Sequence, residues 1–398
     1  MSEFTQLHLE DMADIRVSNV DKKTFSHEES VRLCNYMDTY SNNVIRDSFS
    51  MMHASASKSE ISRFELIAGD VVITKDSESP NDIAVPVYIG EYQTDFPMLC
   101  GYHQALLRPK SGKIHGEFLC HLLRHTEVNN HFAKLATGST RFGLSLESIH
   151  KLPLFLPALE EQKRIAEILS AVDEQIETYQ TLLDKQTLIA KGLQAEISEM
   201  DCEWVKLQEH FDIQSGTTPS RAREDYYGEG TPWVKTLDLD ERALFKTDEY
   251  LTEIALAECK PRVVPAESVL VAMYGGWEQI GRTALLGRDC CTNQAISSIL
   301  PGDAEDWDMR FVFHSLKALR YKWRRYGVST RKDPNITKAD VCSFLIPMPK
   351  LSEQTNIAER LESAFALIDE YKTVMKKSKA LKNALMHDLL TGKTRVPC

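Results

Sequence analysis

A cluster of basic and aromatic residues in the second half of the sequence is the segment best suited to binding an anionic partner. Cations beside aromatic rings suit a DNA backbone, because each phosphate that a cation neutralises releases a counterion and steadies the protein on the duplex. The alternative is an ordinary solvated face whose cations pair with nearby carboxylates. The predicted DNA-binding residues here are Arg320, Lys322, Arg324, Arg325, Thr330, Arg331 and Lys332, with Tyr321, Trp323 and Tyr326 between them.

A milder version of this pattern lies in the first half of the chain. Ser139-Thr140-Arg141 recurs as Ser329-Thr330-Arg331 at an offset of 190 residues. A predicted helical stretch precedes both copies, at about 116–136 and 306–326. The recurrence of polar and basic residues at matched positions favours DNA binding over a chance cluster. The predicted DNA-binding residues of this half are Lys134, Ser139, Thr140 and Arg141.

The segment Tyr274-Gly275-Gly276-Trp277 follows a predicted strand and places two aromatic residues on a turn. This position predicts that Tyr274 and Trp277 contact a base edge or a groove of DNA. A tryptophan buried in the core is the alternative. The residues from Gly276 to Thr283 imitate a phosphate-binding loop, but Arg282 stands where the lysine belongs and a strand follows where a helix is needed. We therefore predict no nucleotide binding there.

Catalytic and metal-binding motifs are missing from the sequence. An adenine methyltransferase needs an NPPY-like tetrapeptide and a glycine loop, a helicase needs a P-loop, and a serine hydrolase needs a nucleophile elbow; none occurs. The nine cysteines are scattered without CxxC spacing. Cys120, His121 and His125 lack the second cysteine pair of a zinc site. The sequence therefore predicts a non-catalytic chain with no metal and no cofactor of its own.

The composition indicates a globular protein, with 42% hydrophobic and 26% charged residues. A formal charge of −11 does not exclude DNA binding, because the acidic residues are spread out while the basic residues are clustered. No run approaches the roughly 18 apolar residues of a membrane span, and the first residues form no apolar leader. We expect a cytoplasmic protein that does not contact a membrane.

A long helical pattern occurs twice and reveals an internal repeat. The segment PALEEQKRIAEIL from Pro157 returns as PKLSEQTNIAERL from Pro349, at an offset of 192 residues without a gap. In both copies apolar residues alternate at spacings of four and three, the pattern of a coiled-coil seam. The predicted interface residues are Ile165, Leu169, Val172, Ile176, Tyr179, Leu183, Ile357, Leu361, Ala364, Ile368, Tyr371 and Met375.

These helices are too long to serve only one globular core. A helix of about 39 residues extends nearly 60 Å at a rise of 1.5 Å per residue. We therefore predict that one seam packs on the other, although each helix could instead be an ordinary core element. In both halves short β-rich runs precede the shorter helices, near 69–74 and 85–90 in the first half and near 268–273 and 282–287 in the second.

The predicted fold class is α+β. Two globular domains related by a pseudo-twofold axis are separated by two long antiparallel coiled-coil helices. The predicted boundaries are 1–156 for the first globular domain, 157–200 for the central helix, 201–348 for the second globular domain and 349–398 for the C-terminal helix.

A family resemblance rests on this duplication. Both halves end in a proline-flanked strand and an EQ..IA helix, LPLFLPALEEQKRIAEIL and FLIPMPKLSEQTNIAERL. Together with WVKLQEHFDIQSGTTPSRAREDYYGEGTPWVKTLDL at 204–239, they resemble the specificity subunit of type I restriction-modification systems. The likeness covers essentially the whole chain, and the order of the duplicated motifs is more specific than any one of them. Residues 1–30 depart from the pattern, because they lack the W...G.TPS opening seen at 204–220.

The resemblance implies that each globular domain is a target-recognition domain for one half of a bipartite, asymmetric sequence in double-stranded DNA. The long helices would set the spacer between the halves and dock two modification (methyltransferase) subunits. Those subunits would transfer methyl from S-adenosylmethionine to adenine N6, and restriction (motor-nuclease) subunits would add ATP- and Mg-dependent cleavage. A coiled-coil adaptor protein without sequence-specific DNA binding is the alternative from another functional class.

Overall fold

The computed structural model describes residues 5–46, 50–93, 95–326 and 334–397. Contacts within the chain divide it into two compact units. One unit runs up to Gln180 and includes the chain from Thr373 onward, whereas the other runs from Thr181 to Lys372. Each unit contains one globular domain and half of each long helix. The domain boundaries predicted from the sequence, which assign the helices separately, remain predictions.

The first globular domain is an α+β structure that precedes the first long helix, α7 (Leu159–Ser198). Its helices are α1 (Leu9–Met12), α2 (Tyr36–Ser41), α3 (Lys58–Phe64), α4 (Gly116–Arg124), α5 (Thr126–Leu135) and α6 (Leu146–His150), with a 3-10 helix η1 (Pro80–Asp82). Its strands are β1 (Thr5–His8), β2 (Ala13–Val17), β3 (Glu29–Cys34), β4 (Val44–Ile45), β5 (Met52–Ala56), β6 (Val71–Thr74), β7 (Asp76–Ser77), β8 (Pro86–Ile89), β9 (Met98–Cys100), β10 (Gln104–Pro109), β11 (Phe142–Gly143) and β12 (Pro153–Leu156).

The second globular domain lies between α7 and the second long helix. Its helices are α8 (Leu207–His210), α9 (Glu253–Cys259), α10 (Met309–Ala318) and α11 (Lys338–Ser343), with 3-10 helices η2 (Glu224–Tyr226), η3 (Thr236–Asp238) and η4 (Arg320–Arg325). Its strands are β13 (Trp204–Lys206), β14 (Ile213–Ser215), β15 (Tyr227–Val234), β16 (Ala243–Leu244), β17 (Tyr250–Leu251), β18 (Val269–Ala272), β19 (Thr283–Leu286), β20 (Cys291–Thr292), β21 (Ile296–Ile299) and β22 (Leu345–Pro347). The second long helix, α12 (Leu351–Leu390), follows.

The two domains have the same sheet topology. The five-stranded sheet has the order β2-β10-β6-β8-β4 in the first domain and β14-β21-β18-β19-β16 in the second. In both sheets only the last pair is parallel. A three-stranded sheet, β5-β3-β9 or β17-β15-β20, and a two-stranded sheet, β1-β12 or β13-β22, complete each domain. Within the described parts of the chain, the first domain also has the short antiparallel pair β7 and β11.

The central strands show why the β-rich runs lack alternation between polar and apolar residues. All four residues of β6, VVIT, are buried, and so are all four of β18, VLVA. A strand covered on both faces favours β-branched and apolar residues at every position. The predictions of β-rich runs near 69–74 and 268–273 are therefore confirmed.

The N-terminal segment has the same elements as its counterpart despite its different sequence. The succession β1-α1-β2 matches β13-α8-β14, and β1 pairs with β12 as β13 pairs with β22. Leu9 in α1 and Leu207 in α8 are both fully buried. Buried apolar residues at matched positions therefore preserve the fold where the sequence motif is absent.

The two long helices pack together in an antiparallel manner. In one unit Asp173 of α7 forms an ion pair with Lys382 of α12, and in the other Glu196 of α7 forms one with Arg360. Residues later in α7 therefore pair with residues earlier in α12, as expected for antiparallel helices. The predicted fold class, with two related α+β domains joined by packed long helices, is confirmed.

The ends of the long helices are also part of the globular cores. Ile165 and Leu169 are buried in one core with Phe118 of α4, and Leu361 is buried in another with Phe311 of α10. Between these ends the apolar contact is narrow, with Ala190, Ala364 and Ile368 in a small cluster. All the predicted seam residues are buried or half-buried: Ile165, Leu169, Ile357, Leu361, Ala364, Ile368 and Met375 are buried, while Val172, Ile176, Tyr179, Leu183 and Tyr371 are half-buried.

Candidate nucleic-acid interface

The basic cluster of the second domain lies on the 3-10 helix η4, which follows α10 directly. Trp323 near its centre is 1% exposed, and its ring stacks on Phe344 with 3.9 Å between the ring centroids. Burial of this tryptophan fixes the orientation of η4, because neighbouring residues in a 3-10 helix project about 120° apart. Tyr321, Arg324 and Arg325 are exposed as a result.

Two cations of η4 are engaged by the protein itself. The Arg320 guanidinium donates to the Glu241 carboxylate at 2.7 Å and to the backbone oxygens of Glu278 and Ile280. The Lys322 ammonium lies 4.1 Å from the centre of the Trp204 ring. Burial, and then the charge of Arg325, lower the pKa of Lys322. Arg320 and Lys322 therefore hold η4 in place.

Arg324 and Arg325 are the outward-facing cations of this helix. Within the part of the chain that the structure describes, neither guanidinium has a hydrogen-bond or ion-pair partner. An exposed guanidinium without an internal partner can donate to a phosphate oxygen without first breaking a bond. The two residues are therefore the cations of η4 best placed for a DNA backbone.

The aromatic loop between β18 and β19, residues 273–282, packs against η4. Gly281 has a φ of +71°, and a Cβ there would lie 2.1 Å from Cδ1 of Trp323. The hydrogen bonds from Arg320 to the backbone of this loop strengthen the contact. Tyr274 and Trp277 are 43% and 46% exposed, so Trp277 is not the buried tryptophan of the alternative interpretation. The structure thus brings together the aromatic loop and the basic helix η4, which lie far apart in the sequence.

The predicted residues of the first domain are exposed on one helix and one turn. Lys134 lies in the last turn of α5. Ser139, Thr140 and Arg141 lie on a turn that two hydrogen bonds between the backbones of Thr137 and Gly143 close, at 3.1 and 2.9 Å. Gly138 has a φ of +142°, and a Cβ there would lie 1.8 Å from the Arg141 carbonyl oxygen. This turn therefore requires glycine.

Three predicted residues, Thr330, Arg331 and Lys332, lie outside the described residues.

Sequence reasoning missed a cleft beside the turn of the first domain. It has a volume of about 520 Å³, and Tyr36, Glu78 and Arg141 are among the residues that line it. These residues come from three separate segments, and of the three only Arg141 belongs to a repeated motif. The pairing of β7 with β11 brings the segments of Glu78 and Arg141 together.

Each domain has a buried histidine at the same position of the helix that packs against a long helix. This residue is His121 in α4 and His314 in α10. Burial lowers the pKa of each to about 3, with smaller contributions from nearby cations. His121 Nε2 lies 2.9 Å from Ser170 Oγ of α7, and the His314 ring stacks on Phe365 of α12. Both side chains are neutral near pH 7 and serve the packing of domain against helix.

Among the described residues, no group of histidine, cysteine, aspartate and glutamate side chains is arranged to hold a metal ion. In the same residues, no helix combines the length and the apolar character needed to cross a membrane.

Comparisons with known proteins match both halves of the chain. A family model described as the type I restriction modification DNA specificity domain matches residues 1–188 and 199–379. The chain is 28% identical over 358 residues to the putative type I restriction enzyme MjaX specificity subunit of Methanocaldococcus jannaschii, covering 85% of this chain and 81% of that protein. It is 23% identical to the EcoR124I/EcoR124II specificity subunit of Escherichia coli, over 46% of this chain and 49% of that one.

Solved structures show the same fold. A crystal structure of a type I restriction-modification S subunit from M. genitalium matches with a TM-score of 0.61 at 13% identity, covering 97% of this chain and 96% of that one. The likeness in fold agrees with the duplicated topology and with the match of the family model to both halves. The chain therefore belongs to the type I restriction-modification DNA specificity family, as a subunit that is itself non-catalytic.

Proposed function

We propose that this chain recognises a bipartite DNA target, with each globular domain binding one half. The observation on which this proposal depends is the repetition of a complete domain topology, sheet by sheet, on two halves of one chain. Two domains of the same fold with different surface residues suit two half-sites of different sequence. The adaptor alternative gains no support from the family to which the chain belongs.

The exposed surface of the second domain supports DNA contact. Arg324 and Arg325 provide cations for phosphates, and Trp277 and Tyr274 provide aromatic groups on the adjacent loop. Phosphate contacts determine where a protein sits on the duplex, and contacts to base edges give sequence preference. We propose that η4 holds the backbone while the loop contacts the bases. We assign Lys134 and the Ser139–Arg141 turn to the corresponding role in the first domain.

The long helices have the length expected of a spacer and of a docking platform. Each has 40 residues, which corresponds to roughly 60 Å. We propose that they set the gap between half-sites and dock two modification subunits. S-adenosylmethionine would then be bound by those subunits, and ATP and Mg by restriction subunits, as in the complexes that the family serves.

Methylation mapping tests the proposal. The chain is co-expressed with its modification subunit, and methylated adenines are mapped on genomic DNA for the wild type and for Trp277→Ala and Arg141→Ala. We expect a motif of two short specific parts separated by a constant gap. Trp277→Ala should change preference in one part, and Arg141→Ala should change it in the other. A motif without a gap, or two variants that alter the same part, would contradict the proposal.

A further inference from the structure

The cleft of the first domain lies at a place that the repeat makes significant. It includes the residues that follow β6, and β6 has the same position in its sheet as β18 has in the second domain. The loop after β18 is the one that presents Tyr274 and Trp277. The same topological position therefore presents aromatic residues beside cations in the second domain, and a different set of side chains in the first.

One wall of the cleft is formed by two tyrosines. The rings of Tyr36 and Tyr40 stack with their centroids 5.9 Å apart and an angle of 13° between their planes. Met37 between them is 59% exposed. This wall offers a planar, largely apolar surface beside the polar side chains on the other side of the cleft.

Three carboxylates line the cleft, and two of them have internal partners. Asp76 forms an ion pair with Lys75 and a hydrogen bond with His103 Nδ1, and Asp82 accepts a hydrogen bond of 2.6 Å from the Tyr40 hydroxyl. Glu78 is exposed and has no hydrogen-bond or ion-pair partner among the residues described. The same holds for Arg141. With respect to the described residues, the cleft therefore presents one carboxylate, Glu78, and one guanidinium, Arg141, without an internal partner.

A free carboxylate restricts what such a surface can bind. DNA phosphates repel it, so its presence on a DNA-facing surface favours only a base edge that offers a hydrogen-bond donor. In the major groove a G·C pair presents the acceptors N7 and O6 side by side, followed by the N4 amino donor of cytosine. An A·T pair instead places its amino donor between two acceptors. The side-by-side acceptors suit a guanidinium, and the adjoining amino group suits a carboxylate.

We propose that the half-site of the first domain contains a G·C pair, with Arg141 donating to guanine and Glu78 accepting from the cytosine amino group. This inference depends on the proposed function, because it requires that the first domain binds DNA. Glu78 then discriminates against other base pairs, since its carboxylate would face a hydrogen-bond acceptor where a G·C pair presents the cytosine amino donor. Its removal is expected to relax base preference at one position without abolishing binding.

Competition binding tests the pairing of residue and base. The complex with the modification subunit is titrated with the mapped target and with duplexes in which each specific pair is changed in turn. The chains compared are the wild type, Glu78→Ala, Arg141→Ala and the control Glu91→Ala. Glu91 is exposed and follows the C-terminal end of β8, whereas Asp82 of the cleft lies before the N-terminal end of that strand. Replacing the G·C pair should weaken wild-type binding roughly 5- to 150-fold.

The expected result for Glu78→Ala is a smaller penalty at a single G·C pair, because only the contact between Arg141 and guanine then remains. Arg141→Ala should reduce the penalty at the same pair, and Glu91→Ala should leave every penalty unchanged. The inference is wrong if Glu78→Ala retains the wild-type penalties or if the relaxed position is an A·T pair. Failure of the proposed function would look different, because the wild type itself would then show no penalty at any position.

Discussion

The cations of the 3-10 helix η4 differ in what they contact. Arg320 and Lys322 are held by protein groups, whereas Arg324 and Arg325 face outward without internal partners in the described chain. In the sequence all four are equivalent members of one basic cluster. Their partners therefore distinguish residues that position the helix from residues that are free to bind phosphate.

Replacing Arg324 and Arg325 by alanine should weaken binding to all duplexes by similar factors. Each lost phosphate contact reduces the slope of log K against log salt by about 0.9, so two lost contacts should reduce it by nearly 2. The measurement is a titration of binding between low and moderate salt. Arg288→Ala is the matched control, since Arg288 is exposed at the opposite end of β19 from the aromatic loop. An unchanged slope would contradict the placement of both residues.

Glu161 at the start of α7 stabilises the C-terminal segment of the chain. Its carboxylate, with a side chain 3% exposed, accepts two hydrogen bonds from Arg395 and one of 3.2 Å from the backbone N–H of Val396. The bonds from Arg395 lower the pKa of Glu161, and the Val396 N–H adds to this shift against the effect of burial. The ionised carboxylate is therefore favoured in the folded state.

Glu161→Gln should lower the free energy of unfolding by about 2–3 kcal/mol at pH 7, because it leaves the partly buried Arg395 without a counter-charge. Since the folded-state pKa is lowered, the contribution is fully present above the ordinary value of 4.5 and is lost as the pH falls through the lowered value. Urea unfolding at pH 7 and at pH 3 measures the difference. The exposed neighbour Glu160, paired with Lys163, is the control, and Glu160→Gln should cost about 0.5 kcal/mol or less. If Glu161→Gln lowered the free energy of unfolding more at pH 3 than at pH 7, the role of Glu161 would be refuted.

At the scale of elements, the repeated EQ motif has a structural explanation. Gln162 is buried in α7, where its side chain accepts from the backbone N–H of His115 and donates to the Pro157 carbonyl. Gln354 in α12 accepts from the N–H of Asp308 and donates to the Asp306 and Pro349 carbonyls. In both repeats this glutamine joins the start of the long helix to the residue just before a shorter helix. That helix is α4 in the first domain and α10 in the second.

Gln354→Ala should destabilise the second unit by about 2–3 kcal/mol, because the partner backbone groups lose their hydrogen bonds while they remain partly buried. Gln162→Ala should have a similar effect on the first unit. Thermal unfolding followed by limited proteolysis shows which unit is affected. Glu353→Ala is the control, since Glu353 is exposed on the same turn. Equal melting temperatures for Gln354→Ala and Glu353→Ala would show that the motif has another role.

At the scale of the whole molecule, the proposal assigns the gap between half-sites to the long helices. Inserting seven residues in the middle of α7 and seven in the middle of α12 preserves the heptad register of both seams. The insertion adds about 10 Å of helix, which corresponds to roughly three base pairs at 3.4 Å each. Methylation mapping should then show the same two half-sites with a gap longer by about that number. Retention of the original gap would exclude the helices as the spacer.

The sequence alone was sufficient for the architecture, because the information lies in periodicity and repetition. The four-three alternation in α7 and α12 depends only on helix geometry, and the offset between copies shows that the chain is duplicated. The buried runs VVIT and VLVA indicate central strands by composition. The EQ..IA motifs indicate the family, although not the hydrogen bonds that explain them. These features are local or repeated, so they are visible without coordinates.

Only the tertiary structure decided which charged and aromatic residues face outward together. Arg320 and Arg324 lie in the same short helix, yet Arg320 is bonded to Glu241 whereas Arg324 has no partner among the described residues, because burial of Trp323 sets the orientation of η4. Glu78 and Arg141 line the same cleft because β7 pairs with β11. Contacts between segments distant in sequence depend on packing, and packing leaves no periodic signal along the chain.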